Sequence, residues 1–204
     1  MKRSIRFLVA CAATFAFCSL VVRADSVAPS TQPAMPTMDR DAMMKAMEQM
    51  GQPGPEHAEL AKMVGEWTSR MECVMPGNAP MISEGEAKFE LRLGGRFLHQ
   101  KMTATMAGKQ YNGLGVTGYD TQKKKYVSVW IDDGGTGIFT AEGEKNAEGA
   151  IVLTGMMPMP GVGDVKVKET MHQTDADHCT FSMAMVNADG SEVPMMNGVY
   201  TRKK

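Results

Sequence analysis

The sequence is short of the residues that usually carry chemistry. Its 204 residues include four histidines, four cysteines and only 6% aromatics. It contains no H-E-x-x-H, G-x-S-x-G, C-x-x-C or P-loop pattern. Those absences argue against helical zinc hydrolases, nucleophile-elbow hydrolases, dithiol redox proteins and P-loop NTPases. Extended basic runs are also missing. The long apolar run, Phe7 to Val22, falls short of the ~20 residues that a membrane-spanning helix needs.

That run is instead an address. Lys2, Arg3 and Arg6 precede it, and Val22-Arg23-Ala24 places compact residues at −3 and −1 of a cut before Asp25. Residues 1–24 therefore read as a signal peptide, and the expected location is periplasmic or secreted, with no stable membrane insertion after cleavage. Leu8-Val9-Ala10-Cys11 resembles a lipoprotein cleavage box, although few apolar residues precede it. The leader holds four basic and no acidic residues, so the remaining chain has 18 basic against 23 acidic residues, a net charge of −5. A mildly acidic chain is poorly suited to nucleic acid or an anionic surface. Two cysteines leave with the leader. Cys73 and Cys179 remain, either as a disulfide formed in an oxidising compartment or as two buried thiols.

Residues 25–53 form a tether rich in Pro, Ala, Ser and Met. Within it, Met38 to Met50 has the spacing of a three-turn helix, with Met43, Met47 and Met50 at i, i+4, i+7. Methionine is abundant throughout. Clusters such as Met44, Met47 and Met50, or Met156, Met157 and Met159, could present soft thioethers to Cu(I), or methionine could serve as an adaptable core filler. Pro55 to Val64 reads as a short helix with Leu60 and Met63 inward and His57 and Glu59 outward.

From Glu66 onward the apolar period becomes two. Strands are expected near 66–75, 82–93, 96–106, 109–119, 126–133, 138–145, 150–157, 164–174, 178–187 and 192–202. Turn dipeptides such as Gly94-Gly95, Ala107-Gly108 and Asp189-Gly190 separate them. About ten short antiparallel strands without interleaved helices make an all-β protein. Sequential hairpins favour an up-and-down barrel, whose closure removes both edges, over a sandwich.

Gly113-Leu-Gly115-Val-Thr-Gly118 matches a dinucleotide fingerprint, but no helix follows to receive a pyrophosphate, so these glycines read as places of curvature or close approach within a strand. His99, on the face of Phe97 and Thr103, is the least unsuitable metal or haem ligand among the histidines. Even so, neither a metal nor a cofactor site is expected. Asp132 and Asp133 read as solvated turn caps. Glu169 shares the face of Val165, Val167 and Met171, so its carboxyl must pair, for example with Arg92 or Arg96, or shift its pKa. Trp130, flanked by Ser128 and Asp132 on its face, points either into a polar cavity or to the surface. The candidate ligand-lining set is Tyr111, Trp130, Glu142 and Glu169. No catalytic residue is apparent.

From about Gly54 to Lys204 the chain resembles the bacterial family known as domain of unknown function 1579. The resemblance rests on GPEHAELAKMVGEW (54–67), LGGRFL (93–98), GLGVTGYD (113–120), KYVSVWIDDGGTG (125–137), Glu142-Gly143, LTG (153–155), VKVKET (165–170) and YTRKK (200–204). It implies a lipocalin-like β-barrel domain over 54–204, commonly exported, with no assigned catalytic residues. Gly65-x-Trp67 at the first strand and Arg202 at the end of the last also resemble the lipocalin signature, in which a basic residue covers the tryptophan at the closed end. Together these features give the expectation of a protein that binds a small apolar or amphipathic molecule in its barrel. The alternative is an envelope protein with a filled barrel that acts through its surface or a Met-rich Cu(I)-binding arm.

Overall fold

A computed structural model describes residues 39–74 and 79–204. The leader 1–24 and the tether as far as Met38 lie outside the described residues. Two helices come first, α1 (Arg40–Met50) and α2 (Pro55–Ala61). Ten strands follow: β1 (Gly65–Cys73), β2 (Met81–Arg92), β3 (Phe97–Met106), β4 (Lys109–Asp120), β5 (Lys125–Asp132), β6 (Phe139–Lys145), β7 (Ile151–Met159), β8 (Gly163–Gln173), β9 (His178–Val186) and β10 (Glu192–Arg202). Every expected strand is present, with ends shifted by no more than two residues.

Each strand pairs antiparallel with the next, and β1 pairs with both β2 and β10, so the sheet is a closed barrel. Alternation drives the closure. In β1 the residues Trp67, Ser69 and Met71 are buried while Glu66, Thr68 and Arg70 between them are exposed, which gives one apolar face to enclose and one polar face for water. The outer face carries cross-strand ion pairs such as Arg70–Glu84 and Lys168–Glu192. Ala107 and Gly108, at φ 50° and 75°, make the tight link between β3 and β4, since two left-handed residues match the twist of a hairpin.

One end of the barrel has a floor. Leu60 and Met63, on and just after α2, are buried beside Trp67, Phe89 and Tyr126. The Trp67 ring meets Phe89 edge-on at 6.5 Å, and Phe89 meets Tyr200 edge-on at 5.8 Å. Trp67 Nε1 donates to the Met63 carbonyl at 2.8 Å. The Arg202 guanidinium lies 4.1 Å from the Trp67 ring centroid. It donates to the carbonyls of Val64 at 2.6 Å and Lys62 at 2.8 Å, just past the end of α2, where a cation complements the helix dipole. Gly65 has φ +136°, and a Cβ there would meet the Arg202 guanidinium. The signature triplet thus links helix, first strand and last strand.

His57 corrects the expectation that it faces outward. It is buried because its Nδ1 accepts from the Gly54 N–H at 2.9 Å, which caps the start of α2, and its ring stands edge-on to Tyr119. Helix α1 buries none of its residues. Its C-terminal end is held where Arg96 donates to the Gly51 carbonyl at 2.7 Å and Thr121 to the Met50 carbonyl at 3.1 Å.

Replacing Arg202 by Ala removes the stack and both carbonyl contacts and is expected to lower unfolding free energy by about 2–3 kcal/mol. Trp67→Ala is expected to cost about 3–5 kcal/mol. Urea unfolding followed by circular dichroism would check both; an unchanged midpoint for Arg202→Ala would show that the clamp is dispensable.

Candidate functional site

The inward side chains do not fill the barrel. A cavity of about 370 Å³ runs from Met106, Tyr111 and Asp132 at the end away from α2 to Leu60 and Met63 above the floor. Methionine is the commonest residue of its wall, including Met71, Met102, Met157, Met171, Met183 and Met196, alongside Phe89, Phe139 and Phe181. The size lies within the range of small-molecule sites, and the thioether lining can adapt its shape to an occupant.

Trp130 is held at one wall of the cavity. Its indole lies over Gly113 and Gly115 of the neighbouring strand, and a Cβ at Gly113 would clash with the benzo edge of the ring. The edge of the Phe97 ring occupies the corresponding space at Gly118. The glycines of the apparent dinucleotide fingerprint therefore provide room for aromatic rings within a strand. Trp130 Nε1 donates to Asp132 Oδ2 at 2.9 Å and approaches the Tyr111 hydroxyl at 3.1 Å, while that hydroxyl donates to the same Asp132 oxygen at 3.0 Å. Asp132 Oδ1 accepts from the Gly134 N–H at 2.9 Å. Burial, followed by the nearby Asp132 carboxylate, raises the Tyr111 pKa. Asp132 is therefore an anchor for the cavity wall. Its place in the alternation 128, 130, 132 carried that signal, while its neighbour Asp133 binds the Asn112 backbone and side chain at the surface.

Glu169 also lines the cavity, between Leu153 and Met183 on the adjacent strands. The arginines expected to partner it are engaged elsewhere: Arg92 with Glu90, and Arg96 with the Gly51 and Leu93 carbonyls. Among the described residues the Glu169 carboxyl makes no hydrogen bond, and desolvation pushes its pKa up to about 7. Close by in the lumen is a polar pair that the sequence reading missed: Gln100 Nε2 donates to the Tyr200 hydroxyl at 3.1 Å. Tyr200 is fully enclosed and its pKa is raised, chiefly by burial, with Cys179 and Glu169 adding to the effect.

Tyr111, Trp130 and Glu169 thus share the cavity wall, but Glu142 does not. On β6 the inward positions are Phe139, Ala141 and Gly143, so Glu142 points outward to Lys125 at 2.9 Å and Lys123 at 3.3 Å. Those lysines hold its pKa below the usual carboxylate range. His99 alternates with Leu98 and Gln100, which line the cavity, and faces outward. His178 is an exposed partner of Asp175 at 3.0 Å. Among the described residues no imidazole lines the cavity. Cys73 and Cys179 are free thiols. They stand opposite Met196 and Tyr200 on β10, four residues apart, or about 13 Å along the strand, too far to bridge. Burial raises both thiol pKa values, that of Cys179 to about 12.

A closed ten-strand antiparallel barrel with a tryptophan floor and a hollow lumen places the protein among lipocalin-like barrels. Residues 52–202 match the family described as Protein of unknown function (DUF1579), and the protein belongs to that family. Its fold is similar to the crystal structure of Rv2717c from M. tuberculosis, at 18% identity and a TM-score of 0.54, covering 75% of this chain and 100% of that one. It is also similar to the S-type phycobiliprotein lyase CPES from Guillardia theta, at 9% identity and a TM-score of 0.53, covering 77% of this chain and 97% of that one. At these identities the likeness establishes the fold alone. No curated protein matches the chain.

Gly113 and Glu169 each allow this geometry to be checked. Gly113→Ala would push the indole off its bed, at a cost of about 1–3 kcal/mol. The expected sign is a shift in tryptophan emission, and an unchanged spectrum and stability would contradict the packing. The Glu169 pKa of about 7 in the folded chain exceeds its ordinary 4.5, so the folded state binds the proton more tightly. Stability is then full below the lower value and falls as pH rises through the upper one. At about pH 8, Glu169→Gln should be more stable than the natural protein by about 3 kcal/mol, and the gap should close near pH 4. Parallel pH profiles for the two would contradict a desolvated carboxyl.

Proposed function

We propose that this is an exported barrel protein that binds one small apolar or amphipathic molecule in its lumen and performs no chemistry on it. The observation that carries this reading is the continuous, mainly apolar cavity of about 370 Å³, bounded at one end by α2 and Trp67. Burying apolar ligand surface there yields roughly 25 cal/mol per Å², and the anchored Trp130 provides a rigid aromatic wall. Export to the periplasm or outside the cell rests on the basic n-region, the apolar run and the small-residue site at Ala24. The ion pairs on the outer face suit contact with water rather than lipid.

A second reading, action through the Met-rich arm, is favoured by helix α1, where Met44 and Met47 are 60% and 59% exposed and no residue is buried. Thioethers displayed in this way suit Cu(I).

The lumen reading is tested by titration with Nile red, an uncharged apolar dye. One molecule per chain should bind with Kd in the ~1–10 μM range, and Met183→Trp, which fills the lumen, should weaken binding about tenfold while cooperative unfolding is retained. An absence of saturable binding would count against the lumen reading. One Cu(I) taken up per chain and lost with Met43, Met44, Met47 and Met50 all changed to Leu would then favour the arm.

A further inference from the structure

Resting on the lumen reading, the geometry points to a ligand class: an apolar molecule carrying a basic, hydrogen-bond-donating nitrogen, seated with that nitrogen on the Glu169 carboxyl. The lumen has a charge asymmetry. Three acidic side chains line it, namely Glu59, Asp132 and Glu169, and the one cation on its wall among the described residues is Lys145. Lys145 is committed to Glu59 at 2.9 Å, beside α2. Asp132 is already occupied by the Trp130 and Tyr111 donors and the Gly134 N–H. Glu169 remains, without a hydrogen-bond donor among the described residues and flanked across the sheet by Leu153 and Met183.

Among the described residues, the groups near Glu169 accommodate a cation and offer no competing positive charge. From β10, Tyr200 presents a neutral phenol whose oxygen accepts from Gln100. From β9, Cys179 presents a thiol that burial keeps protonated. A desolvated carboxyl in such surroundings has two ways to be satisfied: hold a proton, or hold a ligand that supplies positive charge and N–H donors together. A carboxylate ligand would instead place like charges together. An alcohol would give one hydrogen bond and no charge. An ammonium group matches both needs, and the methionine and phenylalanine wall takes the apolar remainder.

The test is isothermal titration of the mature protein with decylamine, decanol and decanoate, three ligands with one tail and different heads. The amine is expected to bind about tenfold tighter than the alcohol, and the acid weakest. Near neutral pH, amine binding should release a proton from Glu169, read as a dependence of heat on buffer ionisation; the alcohol should release none. Glu169→Gln should weaken amine binding about tenfold and leave decanol within about twofold. Equal affinity for amine and alcohol, or an amine preference that survives Glu169→Gln, would overturn the assignment and leave the lumen reading standing. Failure of all three to bind would overturn both. Because Gln keeps the shape of the side chain and removes only its charge, an unchanged decanol affinity separates lost recognition from lost folding.

Discussion

The stack of Arg202 on Trp67 is the contact on which the rest of the barrel depends. Arg202 comes from the last strand, Trp67 from the first, and the carbonyls it grips belong to residues just after α2. A sheet of ten strands closes only if β1 meets β10 in register, and Trp67 lies directly opposite Arg202 in that pairing. The same guanidinium therefore fixes the ring closure, orients the indole across the floor and fastens the helix beneath it. Gly65 allows this because a side chain there would occupy the space of the guanidinium.

A floor made of large rings makes the emptiness above it possible. Trp67, Phe89, Tyr126 and Tyr200 close one end of the barrel with large rings, and methionine is the commonest residue of the cavity above them. Within that space the polar groups are unequal. Asp132 is satisfied by neighbours that it positions, Gln100 and Tyr200 satisfy each other, and Glu169 faces the cavity without a donor among the described residues. A lumen evolved only for packing would be expected to exclude such a carboxyl or pair it.

Much of the fold could be read from the sequence because period two persists from Glu66 to Arg202 and the turn residues interrupt it cleanly. The site could be read only in part. Glu169 was found because Val165, Val167 and Met171 fix the parity of its strand, whereas Trp130, beside the polar Ser128 and Asp132, stayed open between cavity and surface. Glu142 was misplaced because the inward residues beside it, Ala141 and Gly143, carry almost no hydrophobic signal, so its face was undefined. His57 was misjudged because a local hydrogen bond to Gly54 draws a polar ring inward, and helix periodicity does not register that. Asp132 resembled a turn cap because its second partner, Tyr111, lies on a different strand. The solitude of Glu169 depends on where Arg92 and Arg96 come to rest, which the topology determines.

A lumen that holds a cargo should reveal it in native mass spectrometry of the protein purified gently from its own host. A reproducible mass excess of one small molecule per chain, lost on denaturation, is the expected result. A bare polypeptide mass under the gentlest conditions, with no apolar compound able to shift it, would mean that the barrel carries nothing.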